Sequence, residues 1–253
     1  MKPLQLILTA LLLVSTVLSY GQRNKKPQEA FFAFDENWNN ADINKATYFM
    51  RRTKISDTCW QFDTYNMYGP MIKSEQFIDE KGTLAHGRFT IFNQKGKIDS
   101  FCNYSKGLPN GYWYIYNDPF YDIKLTYEMG VLVDTKKTVK VKDTKQKDSL
   151  AEGEKESEFV GGLAAWQRYL NRNLEYPQRA VKANMQGQVS ITFLIDTVGD
   201  VKDCFVWNSV EFSLDEEALR IIRKSPRWLP AMRKDEPVLS WKTQPTIFRL
   251  PGR

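Results

Sequence analysis

The sequence predicts an α+β domain in residues 158–253, with a small antiparallel sheet packed by two helices, and an all-β repeat domain before it in residues 22–132. Two observations predict this architecture. Residues 177–250 contain, in order, the signals of a helix, two strands, a second helix and a third strand, an order typical of α+β domains. Residues 82–130 contain aromatic-rich strands separated by glycines, which is typical of hairpins.

Local signals predict the first helix and the first two strands of residues 158–253. Pro177 starts a short helix, because proline is tolerated at the first helical position, and Gly187 suits the left-handed end of that helix. Apolar residues then alternate strictly from Gln188 to Asp196, which is the period of a strand with one buried face. A turn at 197–200 leads into a returning strand over 201–207.

The second helix is predicted to begin at Ser213, which forms a capping box with Glu216. Apolar residues at helical spacing follow and indicate a stripe that faces the core. Pro226 stops this helix, and residues 238–250 form the third strand.

Four short motifs carry a family resemblance. They are Tyr176-Pro177 with Ala180, the strand entry Gly187 to Phe193, Trp228 with Pro230, and the terminal Phe248-Arg249-Leu250. In this order, residues 158–250 resemble the C-terminal domain of TonB, the periplasmic protein that grips outer-membrane transporters. The resemblance implies an energy transducer that pairs its backbone with a transporter peptide and supports energy-dependent transmembrane transport.

The strand from Trp241 to Leu250 is the predicted binding edge. An open sheet edge invites pairing, and Pro245, which lacks an N–H, fits an edge better than a central strand. Thr243, Thr246 and Arg249 are predicted to point outward, and the resemblance adds a contact near Tyr176. The predicted partner-binding residues are Tyr176, Pro177, Trp241, Thr243, Thr246, Ile247, Phe248 and Arg249. A helix entry with a packed ring is the alternative interpretation of Tyr176 and Pro177.

The preceding residues contain a repeat. Gly87 to Phe92 recurs as Gly111 to Tyr116, at an offset of about 24 residues, and a degenerate copy covers Trp60 to Phe77. This hairpin unit resembles the MORN repeat. A unit of this length must stack on its neighbours to bury its apolar face. Its aromatic side chains serve either sheet packing or, alternatively, a ligand platform.

The chain begins with a mostly apolar run, Leu4 to Leu18, followed by small residues at Ser19 and Gly21. This pattern predicts a signal peptide over residues 1–21 and a periplasmic location. An uncleaved inner-membrane anchor is the alternative. Residues 133–157 are rich in charge and contain no aromatic residue, which predicts a linker.

No pattern in the sequence supports catalysis, a cofactor or a metal. His86 is the sole histidine, and the three cysteines lack metal-binding spacing. In an oxidising periplasm, Cys59 and Cys102 form a disulfide or, alternatively, all three thiols stay free. The formal net charge of +6 is interleaved along the chain, which is typical of a solvated surface rather than of nucleic-acid binding.

The sequence therefore predicts a periplasmic, non-enzymatic protein that binds peptides of TonB-dependent outer-membrane transporters. Inner-membrane motor proteins are a further candidate partner. Two departures from TonB count against energy transfer from that motor: no histidine occurs before His86, and no proline occurs between Pro119 and Pro177. The alternative function is a structural envelope scaffold or homodimer that uses the same domain without energy transduction.

Overall fold

The computed structural model describes residues 28–140 and 154–250. Residues 29–139 form one ten-stranded antiparallel sheet, here called the first sheet, in which the strands pair in chain order except that the two-residue strand β7 pairs with β6 alone and β6 also pairs with β8. A 3-10 turn at Ile43–Lys45 lies between its first two strands. The strands are β1 (Glu29–Phe34), β2 (Tyr48–Ser56), β3 (Cys59–Asn66), β4 (Met71–Phe77), β5 (Ala85–Phe92), β6 (Ile98–Ser105), β7 (Leu108–Pro109), β8 (Gly111–Ile115), β9 (Tyr121–Glu128) and β10 (Val131–Val139).

The 24-residue offset corresponds to one hairpin of the first sheet. Gly87 lies opposite Tyr104 and Gly111 lies opposite Tyr127, so each repeat sets a tyrosine beside a glycine on the next strand. Consecutive ring contacts run from β3 to β9, through Phe62, Phe77, Phe89, Tyr104, Trp113 and Tyr127. These contacts support the packing interpretation of the repeat aromatics. Membership of the MORN family stays a prediction.

The remaining elements form the α+β region predicted from the sequence, with one additional helix. They are β11 (Glu158–Phe159), α1 (Gly162–Asn173), α2 (Gln178–Lys182), β12 (Gly187–Ile195), β13 (Val201–Asn208), α3 (Phe212–Arg223), β14 (Trp228–Leu229), β15 (Ala231–Arg233), β16 (Glu236–Val238) and β17 (Ser240–Phe248). Strands β13, β12 and β17, in that order, form the second sheet. Its inner face, which includes Val189, Ile191, Phe193 and Ile195, is fully buried against the helices.

Three helix boundaries differ from the prediction. The N-cap of α3 is Glu211, whose carboxylate accepts the N–H of Ser213, so the capping box of Ser213 with Glu216 is wrong. Pro177 is the N-cap of α2 rather than its first residue, and Asn184 takes the left-handed conformation that was expected of Gly187. At the start of α3 and at the end of α2, a neighbouring polar residue, Glu211 or Asn184, meets the backbone requirement instead.

The first sheet packs against the second part of the chain through one continuous core. Phe212, at the start of α3, lies 5.3 Å from Phe49 and 5.4 Å from Tyr65 between ring centroids. Beside this cluster, the guanidinium of Arg51 bonds Asp63 at 2.9 Å and Glu216 at 2.7 Å. Removing the second part of the chain would therefore expose these rings and leave the guanidinium of Arg51 with one carboxylate partner fewer.

The structure bears differently on the predicted linker, the signal peptide and the alternative membrane anchor. The first sheet continues to Val139, so residues 133–139 belong to β10 rather than to the linker. The side chains of β10 are all exposed, so the strand has no buried apolar pattern in its sequence. It is held by backbone hydrogen bonds to β9, which amino-acid composition does not indicate. Most of the predicted linker (141–153) and the signal peptide (1–21) lie outside the described residues. Among the residues described, no helix is long and apolar enough to cross a membrane.

The predicted disulfide is wrong, because all three cysteines are free. Cys59 lies on β3 and Cys102 lies on β6, with β4 and β5 between them. Three strand spacings separate the two residues by roughly 14 Å. A disulfide requires Cα atoms about 4.4–6.8 Å apart.

Candidate strand-pairing site

The second sheet has two edges, β13 and β17, and they differ in their surroundings. β17 pairs with β12 on one side, and no other described strand pairs with its outer side. β13 faces the first sheet. The backbone of Lys97 forms an isolated antiparallel bridge with Asn208, and the N–H of Ser209 donates to the carbonyl of Gly96 at 2.8 Å.

The opposite end of β13 is covered by Arg88 of β5. Its guanidinium lies 3.8 Å from the centre of the Phe205 ring and bonds Asp203 at 2.5 Å. The same guanidinium lies 5.9 Å from the ring of Trp241 on β17. The first sheet thus contacts both ends of β13, whereas β17 is the edge of the second sheet that no described strand bridges on its outer side.

The side chains of β17 alternate between two faces. Thr246 and Phe248 are 1% and 2% exposed, whereas Trp241 and Ile247 are 54% and 53% exposed. Thr246 therefore points into the core, and the prediction that it points outward is wrong. Residues three apart on a strand lie on opposite faces, so Thr243 and Thr246 cannot share one. We call the face with Trp241, Thr243, Pro245 and Ile247 the outward face.

Pro245 fixes which backbone groups of β17 face the open edge. It lies opposite Ser190 in the β12 ladder, and proline is accommodated in a strand where its nitrogen faces away from the neighbouring strand. Residues with this orientation alternate, so Trp241, Thr243 and Ile247 direct their N–H and C=O groups to the open side. The hydroxyls of Thr192 and Thr243 are 2.8 Å apart, as expected for a non-hydrogen-bonded pair, in which side chains approach closely.

Tyr176 packs against the end of β17 on the buried face of the second sheet. The Tyr176 hydroxyl donates to the carbonyl of Met185 at 2.6 Å, and its ring lies edge-to-face on Phe248 at 5.7 Å. Burial raises the pKa of Tyr176. Pro177 is the N-cap of α2. The Tyr176 ring therefore packs on the end of β17, which supports the packed-ring interpretation for Tyr176.

Two further residues bear on the site. Arg249, which follows β17, is exposed. Arg88 was not predicted as a site residue, because it lies more than one hundred positions from β17 in sequence and no local pattern links the two.

Among residues 28–140 and 154–250, no group of three or more His, Cys, Asp or Glu side chains is placed to hold a metal ion. His86 lies on β5, where its Nδ1 accepts the N–H of Lys106 at 3.3 Å.

Comparison with known proteins places a family on this part of the chain. Residues 172–250 match the family model described as the C-terminal part of the Gram-negative bacterial TonB protein. The match spans α2, the whole second sheet and α3, and so includes the open edge. No curated protein and no solved structure matches the chain.

Proposed function

We propose that the chain is a TonB-like periplasmic protein that binds peptides of TonB-dependent outer-membrane transporters by adding a strand to β17. One observation carries this proposal. Within the region that matches the TonB C-terminal family, β17 has an open outer side, while the first sheet bridges β13 at Asn208 and obstructs that edge. A partner strand adds to an edge through main-chain hydrogen bonds.

The backbone alone gives weak binding. Trp241, Thr243 and Ile247 offer N–H donors at the open side, and Pro245 leaves a gap between them. A few hydrogen bonds at roughly 1 kcal/mol each correspond to a dissociation constant near the millimolar range. The exposed rings and side chains beside the edge, including Trp241, Ile247 and Arg249, supply additional contact area.

Of the family's function, the proposal covers the binding of a partner peptide. The binding site is the open edge of the second sheet at β17. Support of energy-dependent transport follows if an inner-membrane motor acts on residues before β1. The alternative is a structural envelope scaffold, in which β17 pairs with β17 of a second copy.

The test is a titration of residues 22–253 with peptides from transporter N-termini, followed by backbone amide shifts. The whole chain is used because the two parts share one core. Thr243→Pro removes one outward N–H and is expected to weaken binding by about 1 kcal/mol, roughly fivefold. Thr243→Ala is the matched control, because it also loses the bond to Thr192 but keeps the N–H.

Equal affinities of the two variants would show that the peptide does not use the Thr243 N–H. Concentration-dependent self-association through the β17 amides, with no peptide binding at millimolar concentration, would replace the transporter proposal with the scaffold. Analytical ultracentrifugation of the same samples separates these outcomes.

A further inference from the structure

A groove of about 930 Å³ lies where the first sheet meets the outward face of the second. One wall is the turn at residues 93–97 together with Pro70. The other wall comes from β12, β13 and β17, through Ser190, Trp207 and Thr243. Neither sheet forms this groove alone, so it exists only because the two parts of the chain are docked.

The turn that forms the first wall is held firmly. The Asn93 side-chain oxygen accepts the N–H groups of Lys95 at 2.9 Å and of Lys97 at 3.2 Å. Gly96 touches the end of β13, with its carbonyl bonded to the N–H of Ser209. The turn is therefore a fixed part of the groove, and its lysine side chains extend from a defined backbone.

The charge of the groove is positive. Lys95 and Lys97 are exposed, and neither forms a salt bridge with another described residue. No described Asp or Glu lines the groove, and the amide side chains of Gln94 and Gln188 add hydrogen-bonding groups. This lining complements carboxylates on an extended chain and disfavours a basic partner.

The groove is continuous with the open edge of β17. Thr243 and Pro245 line the groove and also belong to the edge strand. Pairing with a partner strand is interrupted at Pro245, because proline has no N–H to donate. A segment that flanks the strand paired on β17 can fold back across the outward face beside Thr243 and Pro245 and enter the groove.

We propose that the groove between the 93–97 turn and the outward face binds an acidic segment that flanks the strand paired on β17. This proposal rests on the proposed function, since the paired strand brings the acidic segment to the groove. It gives the first sheet a part in recognition: Lys95 and Lys97 select partner peptides by charge.

The experiment compares two synthetic peptides that share a central run of alternating valine and threonine. One carries Asp-Gly-Asp at both ends, and the other carries Asn-Gly-Asn. Each is titrated into residues 22–253 of the wild type and of the double variant Lys95→Gln, Lys97→Gln. The matched control is Lys81→Gln, Lys106→Gln, which makes the same charge change in turns at the other end of β5.

The wild type is expected to bind the acidic peptide roughly three- to tenfold more tightly than the neutral one, as two exposed ion pairs allow. The Lys95 and Lys97 double variant is expected to abolish that difference, while the control variant retains it. The difference should also shrink as salt is added.

Equal binding of both peptides to the wild type, with amide shifts at Trp241, Thr243 and Ile247, would overturn the groove proposal and leave the edge function intact. Loss of the charge preference in the control variant as well would overturn it too, because the effect would then come from net charge. Absence of shifts at those three amides with either peptide would overturn the proposed function itself.

Discussion

The backbone of Gly96 is hydrogen-bonded to Ser209, and this contact fixes a turn of the first sheet to the end of β13. Gly96 has a φ of 73°, and a Cβ at this position would overlap the carbonyl oxygen of Ser209 and approach Cβ of Pro70 to 2.9 Å. Glycine is therefore required here both for conformation and for space.

Gly96→Ala is expected to lower the free energy of unfolding and to loosen the contact between the two sheets. Gly111→Ala is the matched control, because Gly111 has a φ of 80° but a Cβ added there would meet no described atom within 4 Å. The control should cost about 1 kcal/mol from backbone strain alone, and Gly96→Ala should cost more, since the docked backbone must also move. Urea denaturation measures both, and equal losses would mean that the sheets do not depend on this contact.

Asp215 gives the fold a pH dependence with a defined sign. It is fully buried in the first turn of α3, where Ser209 and the N–H of Val210 donate to its carboxyl group. Burial and, to a smaller extent, the nearby charge of Glu211 outweigh the lowering effect of those two hydrogen bonds, and together these effects raise the pKa of Asp215 to about 8. In the unfolded chain the pKa of an aspartate is about 3.9.

The folded state therefore holds this proton more tightly than the unfolded state. Its contribution to stability is fully present below about pH 4 and is lost as the pH rises towards 8, by at most about 1.4 kcal/mol per pH unit. Asp215→Asn, which keeps an acceptor for Val210, should flatten that dependence. Urea denaturation at several pH values compares the two proteins, and parallel curves between pH 5 and 8 would contradict the assignment.

Cleavage of the connection between the two parts should not separate them. Trypsin is expected to cut after Lys142, Lys145 or Lys147, whereas Lys136 is paired in β10 and Lys155 is bridged to Met232. Because Phe212 packs among aromatic rings of the first sheet, the fragments should co-elute on gel filtration and separate only in denaturant. Separate elution of the two fragments under native conditions would show that the shared core is not strong enough to keep them associated.

Local patterns predicted those elements in which apolar and polar residue types alternate cleanly along the sequence. Val189, Ile191, Phe193 and Ile195 are all fully buried, so the strand period alone located β12. β17 has no such pattern, since Ile247 and Phe248 are adjacent and both apolar. Which side chains of β17 point into the core is determined by pairing with β12 and by packing of Phe248 on Tyr176. Because the sequence does not indicate these contacts, the predicted outward orientation of Thr246 is wrong.

The docking of the two sheets was beyond sequence reasoning for a physical reason. Arg88 with Asp203, and Gly96 with Ser209, join residues that are more than one hundred positions apart. No periodicity or turn signal encodes such contacts. The open edge itself was predictable, because Pro245 disfavours a central strand. The contacts of the first sheet with β13 and the basic groove could be identified only from the three-dimensional structure.

Amide hydrogen exchange on residues 22–253, with and without a saturating peptide from a transporter N-terminus, tests the strand-pairing claim most directly. Strand addition to β17 predicts slower exchange at Trp241, Thr243 and Ile247, whose N–H groups face the open side. Exchange at Lys242 and Gln244, whose N–H groups already face β12, should not change. Peptide binding that leaves the first three amides unaffected, or that protects β13 instead, would contradict it.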